Sequence, residues 1–159
     1  MTDLQGHELW RKAMAVVLDE DMTRNCFLLE RPAAMPSVAM LRLRLTGGGR
    51  LLSQNDYLLA KKGEEPQRLN SVGKALLEVT TQMGSSSARV TLSNPSDVTA
   101  LLVRLNLKGG DGEQVLPVLY SDNYFHLLPS EAREVQIEWN PRDVRGGRPT
   151  RGAWRPLRG

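Results

Sequence analysis

The residues best suited to bind a ligand lie in one aromatic and polar loop, Tyr120-Ser121-Asp122-Asn123-Tyr124-Phe125. Aromatic rings stack on the C–H faces of sugars, and amide and carboxylate groups exchange hydrogen bonds with sugar hydroxyls. Tyr120, Asp122, Asn123 and Tyr124 are therefore candidates for contact with a sugar or with a neighbouring domain. A structural interpretation is also open, because aromatic residues at a strand end cap a core while Asp and Asn bind their own turn.

The other reactive residues give little support for metal, cofactor or thiol chemistry. His7 and His126 are the only histidines; neither has a third ligand at metal-binding spacing, and both are predicted to lie on the surface or in turns. The glycine-rich segments Gly47–Gly49 and Gly109–Gly112 lack the lysine and the strand-to-helix context of a phosphate loop. Cys26 is the single cysteine, which excludes an internal disulfide and predicts a buried free thiol on a strand. We therefore predict no metal site and no cofactor.

Short β-strands are predicted to position these residues. Brief apolar or alternating runs recur between Gly, Pro, Asn and Ser residues, which is the pattern of strands joined by turns. Glu8–Leu18 is ambiguous, because Leu9 and Val16 would share a helix face while alternate residues suit a strand; we favour the strand. The other predicted strands are Asn25–Glu30, Val38–Leu45, Leu51–Ala60, Ala75–Thr81, Ala88–Ser93, Thr99–Lys108, Gln114–Ser121 and Glu134–Trp139.

The two halves of the chain resemble each other in sequence. LRLRLTGGGRLLSQNDYLL at Leu41–Leu59 parallels VRLNLKGGDGEQVLPVLYSDNYFHL at Val103–Leu127. Each has an alternating strand with arginine and leucine, a glycine-rich turn, a second strand, and then Ser, Asn and Tyr close together. The parallel predicts two tandem sandwiches, in each of which a hairpin ends in a similar aromatic and polar loop.

Composition divides the chain into four segments. The polar run Lys61–Gly73 has few apolar residues and marks a boundary between two sets of strands. We predict a partial β domain at residues 1–62, a linker at 63–73, a β-sandwich at 74–140 and an Arg/Gly/Pro-rich tail at 141–159. The first domain is partial because about four strands precede the boundary, where such a sandwich has roughly seven. Either further N-terminal sequence completes it, or the isolated chain covers the open sheet face another way.

Size and charge exclude several classes of protein. At 159 residues the chain is too short for a (β/α)₈ barrel, which needs roughly 250, and no apolar run reaches the ~18–20 residues of a membrane span. The last nineteen residues contribute +5 to the net charge of +3, so residues 1–140 carry −2. Phosphate binding by the six arginines of that tail stays open, but no nucleic-acid-binding fold precedes it. We therefore expect no membrane partner and do not favour nucleic acid.

The segment Val90–Trp139 reads VTLSNPSDVTALLVRLNLKGGDGEQVLPVLYSDNYFHLLPSEAREVQIEW. In order and spacing it resembles the last immunoglobulin-like domain of glycoside hydrolase family 2, in the branch of exo-β-D-glucosaminidases and mannosylglycoprotein endo-β-mannosidases. Residues near 8–60 resemble the closing strands of the domain before it. The resemblance implies an all-β, immunoglobulin-like β-sandwich, one complete C-terminal domain preceded by a partial similar domain. The arginine-rich tail departs from the family, in which an apolar ending is expected.

The resemblance implies a parent enzyme whose catalytic barrel hydrolyses β-linked glucosamine or mannose residues. The family's catalytic acid/base motif is an Asn-Glu pair on a barrel strand, and no Asn-Glu dipeptide occurs here. A glycosidase also needs two carboxylates about 5–5.5 Å or roughly 6.5–9.5 Å apart on a rigid scaffold. The acidic clusters Asp19–Asp21 and Glu64–Glu65 instead fall in predicted loops. We therefore predict a non-catalytic accessory region whose partner is the barrel of the same polypeptide.

An alternative is an autonomous carbohydrate-binding or adhesion-type β-sandwich. Its ligands would be β-linked glycans, held by the loop Tyr120–Phe125. This alternative predicts saturable glycan binding that Tyr124→Ala weakens while the fold stays intact.

The compartment is left open by the sequence. The residues after Met1 lack the basic region and apolar core of a signal peptide. A secreted or periplasmic location is expected if the parent protein carries a signal peptide.

Overall fold

The computed structural model describes residues 1–61, 73–147 and 149, and the backbone of residues 155–156. The chain divides into two compact units, Met1–Pro66 and Gln67–Gly159. Every strand pairing among the described residues is antiparallel. The strands are β1 (Val38–Gly47), β2 (Arg50–Ala60), β3 (Glu78–Met83), β4 (Ser87–Ser93), β5 (Ala100–Arg104), β6 (Val118–Tyr120), β7 (Phe125–Leu127), β8 (Ala132–Trp139) and β9 (Arg155–Pro156). A short 3₁₀ helix covers Pro141–Asp143. Within the described ranges, no helix has the length and apolar character needed to cross a bilayer.

The first unit is built around a hairpin of β1 and β2. The pairing begins with Val38 opposite Ala60 and shifts register after Leu45. Gly48 and Gly49 form the turn with φ values of +56° and +75°, which glycine adopts without a side-chain clash. The predicted hairpin with its glycine turn is confirmed.

An ion pair links the two strands of this hairpin. Arg42 and Asp56 lie directly opposite each other, with Nε and Oδ1 2.7 Å apart and Nη2 and Oδ2 3.0 Å apart. Their side chains are only 12% and 8% exposed. The bidentate geometry matches the planar fork of the guanidinium to the carboxylate, so the pair fixes the register of β1 on β2.

A small apolar cluster packs the N-terminal residues onto the hairpin. Thr2 forms isolated β-bridges with both Glu8 and Met40. The N-terminal ammonium donates a hydrogen bond to the carbonyl oxygen of Trp10 at 2.6 Å. The cluster consists of Met1, Met35 and Ala39, with Leu9, Trp10, Leu29 and Leu59 packed against it.

Two predicted strands of the first unit are wrong. Glu8–Leu18 and Asn25–Glu30 form no strand. A strand needs a neighbour for its backbone hydrogen bonds, and β1 pairs with β2 and, at Met40, with Thr2. Cys26 is consequently exposed, which corrects the prediction of a buried thiol.

The second unit is a sandwich of two sheets. One sheet has the strand order β3-β4-β8-β6 and the other has the order β7-β5-β9. Alternate residues of β4 and β8 are buried, as expected of strands with one face on a core. The predicted all-β, immunoglobulin-like β-sandwich is confirmed. The core consists of Ala88, Val90, Leu92, Ala100, Val103, Leu105, Leu107, Val115, Phe125, Leu127, Val135, Ile137 and Trp139.

The chain changes sheets after its second glycine-rich turn. Lys108 and Gln114 still form a β-bridge, but β6 then pairs with β8 in the other sheet. Pro117 precedes β6 and has no N–H with which to continue a ladder to β5. The predicted match between the two halves is therefore wrong beyond the turn. The segment Ser53–Tyr57 lies inside β2, whereas Ser121–Tyr124 is a connection between β6 and β7.

The sequence analysis predicted neither strand β7 nor the buried position of His126. All three residues of β7 are buried, and His126 is 6% exposed. Its Nδ1 lies 3.2 Å from the N–H of Leu102, a residue with φ of +49° where the pairing of β5 with β7 is irregular. The prediction of a surface histidine was wrong because three residues are too few to show an alternation.

The first residues of the predicted tail pack on the sandwich. The N–H of Gly110 donates to the carbonyl oxygen of Arg145 at 2.9 Å, and a Cβ on Gly110 would collide with the carbonyl oxygen of Gly146. Val144 packs against the core. The absence of a side chain at Gly110 therefore also allows the backbone of residues 145–146 to approach this turn closely.

Several predicted features lie outside the described residues. They include the linker 63–73 apart from Gly73, and Arg148, Arg151 and Arg158 of the tail. The predicted domain boundaries stay predictions.

Candidate functional site

The aromatic and polar loop joins β6 to β7 and crosses from one sheet to the other. Ser121 extends the pairing with β8: its N–H donates to the carbonyl oxygen of Gln136 at 2.8 Å, and its Oγ accepts from the N–H of Gln136 at 2.9 Å. At the other end Phe125 enters the core and is 6% exposed. Both ends of the loop are therefore fixed by the sandwich.

Tyr120 is the last residue of β6 and packs against the core. Its hydroxyl oxygen accepts a hydrogen bond from the N–H of Leu107 at 2.9 Å. Burial raises the pKa of the Tyr120 hydroxyl, and the hydrogen bond from Leu107 and the charge of Arg104 oppose that rise. Tyr120 thus ties β6 to the residues that follow β5.

Asn123 acts as a substitute for a neighbouring strand. Its Oδ1 accepts from the N–H of Leu105 at 2.8 Å, and its Nδ2 donates to the carbonyl oxygen of Leu105 at 3.0 Å. The same Oδ1 accepts from the N–H of Tyr124 at 3.0 Å. Leu105 follows β5 and is fully buried, so the amide satisfies two backbone groups of a buried residue.

Asp122 is held by an arginine from β8. Its Oδ2 lies 2.7 Å from Nη1 of Arg133, and the two side chains are 42% and 23% exposed. The guanidinium carbon of Arg133 lies 4.7 Å from the ring centroid of Phe125, which is cation–π distance. Arg133 therefore connects the carboxylate of the loop to the aromatic residue where the loop enters the core.

Tyr124 presents its ring to solvent. The residue is 54% exposed, and the guanidinium carbon of Arg104 lies 5.7 Å from the ring centroid. Its φ is +58°, a left-handed conformation that costs an L-residue about 1–2 kcal/mol. The hydrogen bond from its N–H to Asn123 and the burial of Phe125 on its other side hold it in this conformation.

The four predicted residues share one loop but have different tasks. Polar groups of Tyr120, Asp122 and Asn123 are engaged with other parts of the sandwich. The ring of Tyr124 is left as the exposed group. Across the described parts of the chain, no three His, Cys, Asp or Glu side chains are grouped as a metal ion would require.

Arg104 and Arg133 complete the site and were not predicted from the sequence. Arg104 had a usable signal, since its alternation with Val103 and Leu105 places it on the outer face of its strand. Arg133 had none, because only the pairing of the folded sheets brings it to Asp122.

In a comparison with known proteins, one family matches well over half of the chain. A sequence profile of the exo-β-D-glucosaminidase Ig-fold domain matches residues 55–151. The exo-β-D-glucosaminidase of Hypocrea jecorina is 33% identical to this chain, and that of Hypocrea virens is 29% identical. Each match covers 65% of this chain and 15% of the relative. The chain thus spans about 15% of the length of the curated relatives it matches.

Solved structures share the fold. The exo-chitosanase CsxA of Amycolatopsis orientalis, in complex with PNP-β-D-glucosamine, matches with a TM-score of 0.69 and 22% identity. That match covers 76% of this chain and 17% of the other. Another crystal structure of CsxA gives a TM-score of 0.67, 22% identity, and coverage of 74% and 17%. At this identity the likeness concerns the fold alone.

Proposed function

This chain belongs to the exo-β-D-glucosaminidase Ig-fold domain family, and from that premise we propose that it is the non-catalytic accessory region of a longer glycoside hydrolase. In this proposal the sandwich packs against a catalytic barrel of the same polypeptide, which hydrolyses the O-glycosyl bonds of β-linked glucosamine residues. Membership of glycoside hydrolase family 2, and with it the relation to β-mannosidases, is part of the proposal. The small share of the curated relatives that the chain matches supports it.

The observation that carries the accessory role is the engagement of the loop's polar groups. Asn123 holds both backbone groups of Leu105, Arg133 holds Asp122, and the hydroxyl of Tyr120 accepts from Leu107. A general acid or base must reach the proton it transfers, which requires a polar group free to approach the substrate. Groups that fix a sandwich suit a rigid support better than a reacting centre.

The first experiment is to sequence the coding DNA upstream of the codon for Met1. We expect an open reading frame that continues into a barrel, which by itself needs roughly 250 residues. A stop codon close behind a start codon would contradict the accessory role.

An activity assay tests the non-catalytic part of the proposal separately. The purified chain is expected to show no turnover of an aryl β-D-glucosaminide above a buffer blank. Reproducible turnover that is lost on further truncation of the chain would contradict this expectation.

A second candidate function is binding of β-linked glycans by the same loop. The ring of Tyr124 favours it, because the ring is exposed and held outward by a left-handed backbone beside Arg104. Backbone strain of this kind is common at ligand-binding sites. Calorimetric titration with chitosan and mannan fragments is expected to show saturable binding that Tyr124→Ala weakens. Titrations without heat across that panel would exclude this function.

A further inference from the structure

A groove of about 360 Å³ lies on the four-stranded sheet beside the turn between β3 and β4. Exposed polar side chains line it from three neighbouring strands, which are Gln82 on β3, Ser87 and Arg89 on β4, and Gln136 and Glu138 on β8. The register places Gln82 opposite Arg89 and Arg89 opposite Gln136. Since neighbouring strands are about 4.8 Å apart, this row is roughly 10 Å wide, which is the reach of a disaccharide.

Three polar side chains of this groove are unpaired among the described residues, unlike the polar groups of the aromatic and polar loop. Within the described part of the chain, the side chains of Gln82, Gln136 and Glu138 make no hydrogen bond or ion pair. Two amides and a carboxylate offer donors and acceptors side by side, which suits a ligand that carries several hydroxyl groups. Met83 adds an apolar side chain at the edge of the groove and is 43% exposed.

The charges around the groove favour a cationic ligand. Nε of Arg89 lies 3.3 Å from Oε1 of Glu134, so this arginine has a carboxylate partner of its own. The carboxylate of Glu138 makes no ion pair among the described residues, so Arg89, its partner Glu134 and Glu138 together carry one net negative charge. A ligand that joins hydroxyl groups to one positive charge would satisfy both features.

We propose that this groove binds a protonated amino sugar. The carboxylate of Glu138 pairs with the ammonium, and the amides of Gln82 and Gln136 exchange hydrogen bonds with the hydroxyls. No residue of the Tyr120–Phe125 loop lines the groove, although Gln136 pairs through its backbone with Ser121 of that loop. The inference goes beyond the accessory role without depending on it.

The test is calorimetric titration of the 159-residue chain with glucosamine oligomers of two to six units. N-acetylated oligomers of the same length form a parallel arm, because acetylation removes the ammonium and keeps the ring hydroxyls. We expect saturable binding of the glucosamine oligomers that weakens as salt is raised, and at least about tenfold weaker binding of the acetylated ones, since one charge-assisted hydrogen bond supplies that factor. Equal affinity for both series, or no binding of either, would overturn the proposal.

Three variants locate the site. Glu138→Gln keeps the size of an exposed side chain and is expected to weaken binding of the glucosamine oligomers about tenfold. Glu78→Gln removes the same charge from β3, outside the residues that line the groove, and is expected to leave binding unchanged. If Tyr124→Ala abolishes binding while Glu138→Gln does not, the ligand sits at the loop and the groove proposal fails. None of these outcomes bears on the accessory role, which the upstream reading frame tests.

Discussion

The hairpin of β1 and β2 and the β5 region of the sandwich share a sequence pattern and differ in burial. In the hairpin, Leu43 and Leu45 are 42% and 56% exposed, whereas Leu105 and Leu107 of the sandwich are 0% and 3% exposed. The sandwich covers its leucines with the apolar face of β4 and β8. In the described part of the first unit, β1 and β2 form a two-stranded sheet. Alternation therefore specifies a strand, while burial needs a second layer of sheet.

The arginines of the two regions show the opposite difference in burial from the leucines. In the hairpin, the arginine of the pattern, Arg42, is largely buried against Asp56. In the sandwich the matching Arg104 lies over the exposed ring of Tyr124. The hairpin thus relies on an ion pair for its register, and the sandwich relies on packing.

The largest expected effect tests the burial half of this comparison. Leu105→Ala should lower the free energy of unfolding of the sandwich by about 3–4 kcal/mol, because it leaves a cavity in a closed core. Leu43→Ala should cost under about 1 kcal/mol, because water already reaches that side chain. Native-state hydrogen exchange of the β4 and β1 amides would measure each unit separately. Similar losses for the two variants would mean that Leu43 is covered in solution and would end the comparison.

The next effect tests the ion-pair half. Arg42→Ala should destabilise the hairpin by about 3 kcal/mol, because it leaves the carboxylate of Asp56 largely buried without this partner. Arg104→Ala should cost about 0.5–1 kcal/mol, the range of an exposed cation–π contact. Hydrogen exchange of the β2 amides and urea unfolding of the whole chain are the measurements. A larger loss of stability for Arg104→Ala than for Arg42→Ala would contradict the view that the hairpin depends on an ion pair and the sandwich on packing.

A third prediction separates the two asparagines that the sequence placed in parallel. Asn123→Ala should cost about 2 kcal/mol, since both backbone groups of Leu105 lose their partner. Asn55→Ala should change the free energy of unfolding by less than about 0.5 kcal/mol. Asn55 is exposed, and its side chain makes no hydrogen bond among the described residues. Urea unfolding of both variants gives the comparison. Equal effects would show that the hydrogen bonds between Asn123 and Leu105 are not maintained in solution.

The sandwich was predictable because its signals are local. Alternation over Ala88–Ser93 and Glu134–Trp139 identified β4 and β8, and the glycine triplet identified the β1–β2 turn. The resemblance to the immunoglobulin-like domain of exo-β-D-glucosaminidases is confirmed by the match over residues 55–151. These features depend on neighbours in sequence, which a single chain displays.

The features that were missed depend on contacts distant in sequence. Glu8–Leu18 alternates like a strand, yet no described strand pairs along it. β7 is three residues long, too short for a period to appear. The sequence put Asn123 in a candidate sugar site because its residue type suits sugars, and only the folded sheets reveal its bonds to Leu105. Residue type indicates which bonds are possible, and the tertiary structure decides which are already made.

The smallest expected effect compares the tyrosines of the two aromatic segments and depends on pH. Tyr120→Phe should cost about 1 kcal/mol near neutral pH, because the N–H of Leu107 loses its acceptor. Burial raises the pKa of Tyr120 in the folded state above the value of about 10 in the unfolded chain. The contribution of its neutral hydroxyl is therefore fully present below pH 10 and is lost as the pH rises above that value. Urea unfolding at pH 8 and pH 11 should thus show the gap between wild type and Tyr120→Phe closing in alkali. Tyr57→Phe removes a hydroxyl that has no hydrogen bond among the described residues, and it should change the free energy of unfolding at pH 8 by less than about 0.5 kcal/mol. A gap for Tyr120→Phe that widened in alkali would mean that the folded sandwich favours the tyrosinate, and the bond to Leu107 would then have to outweigh burial.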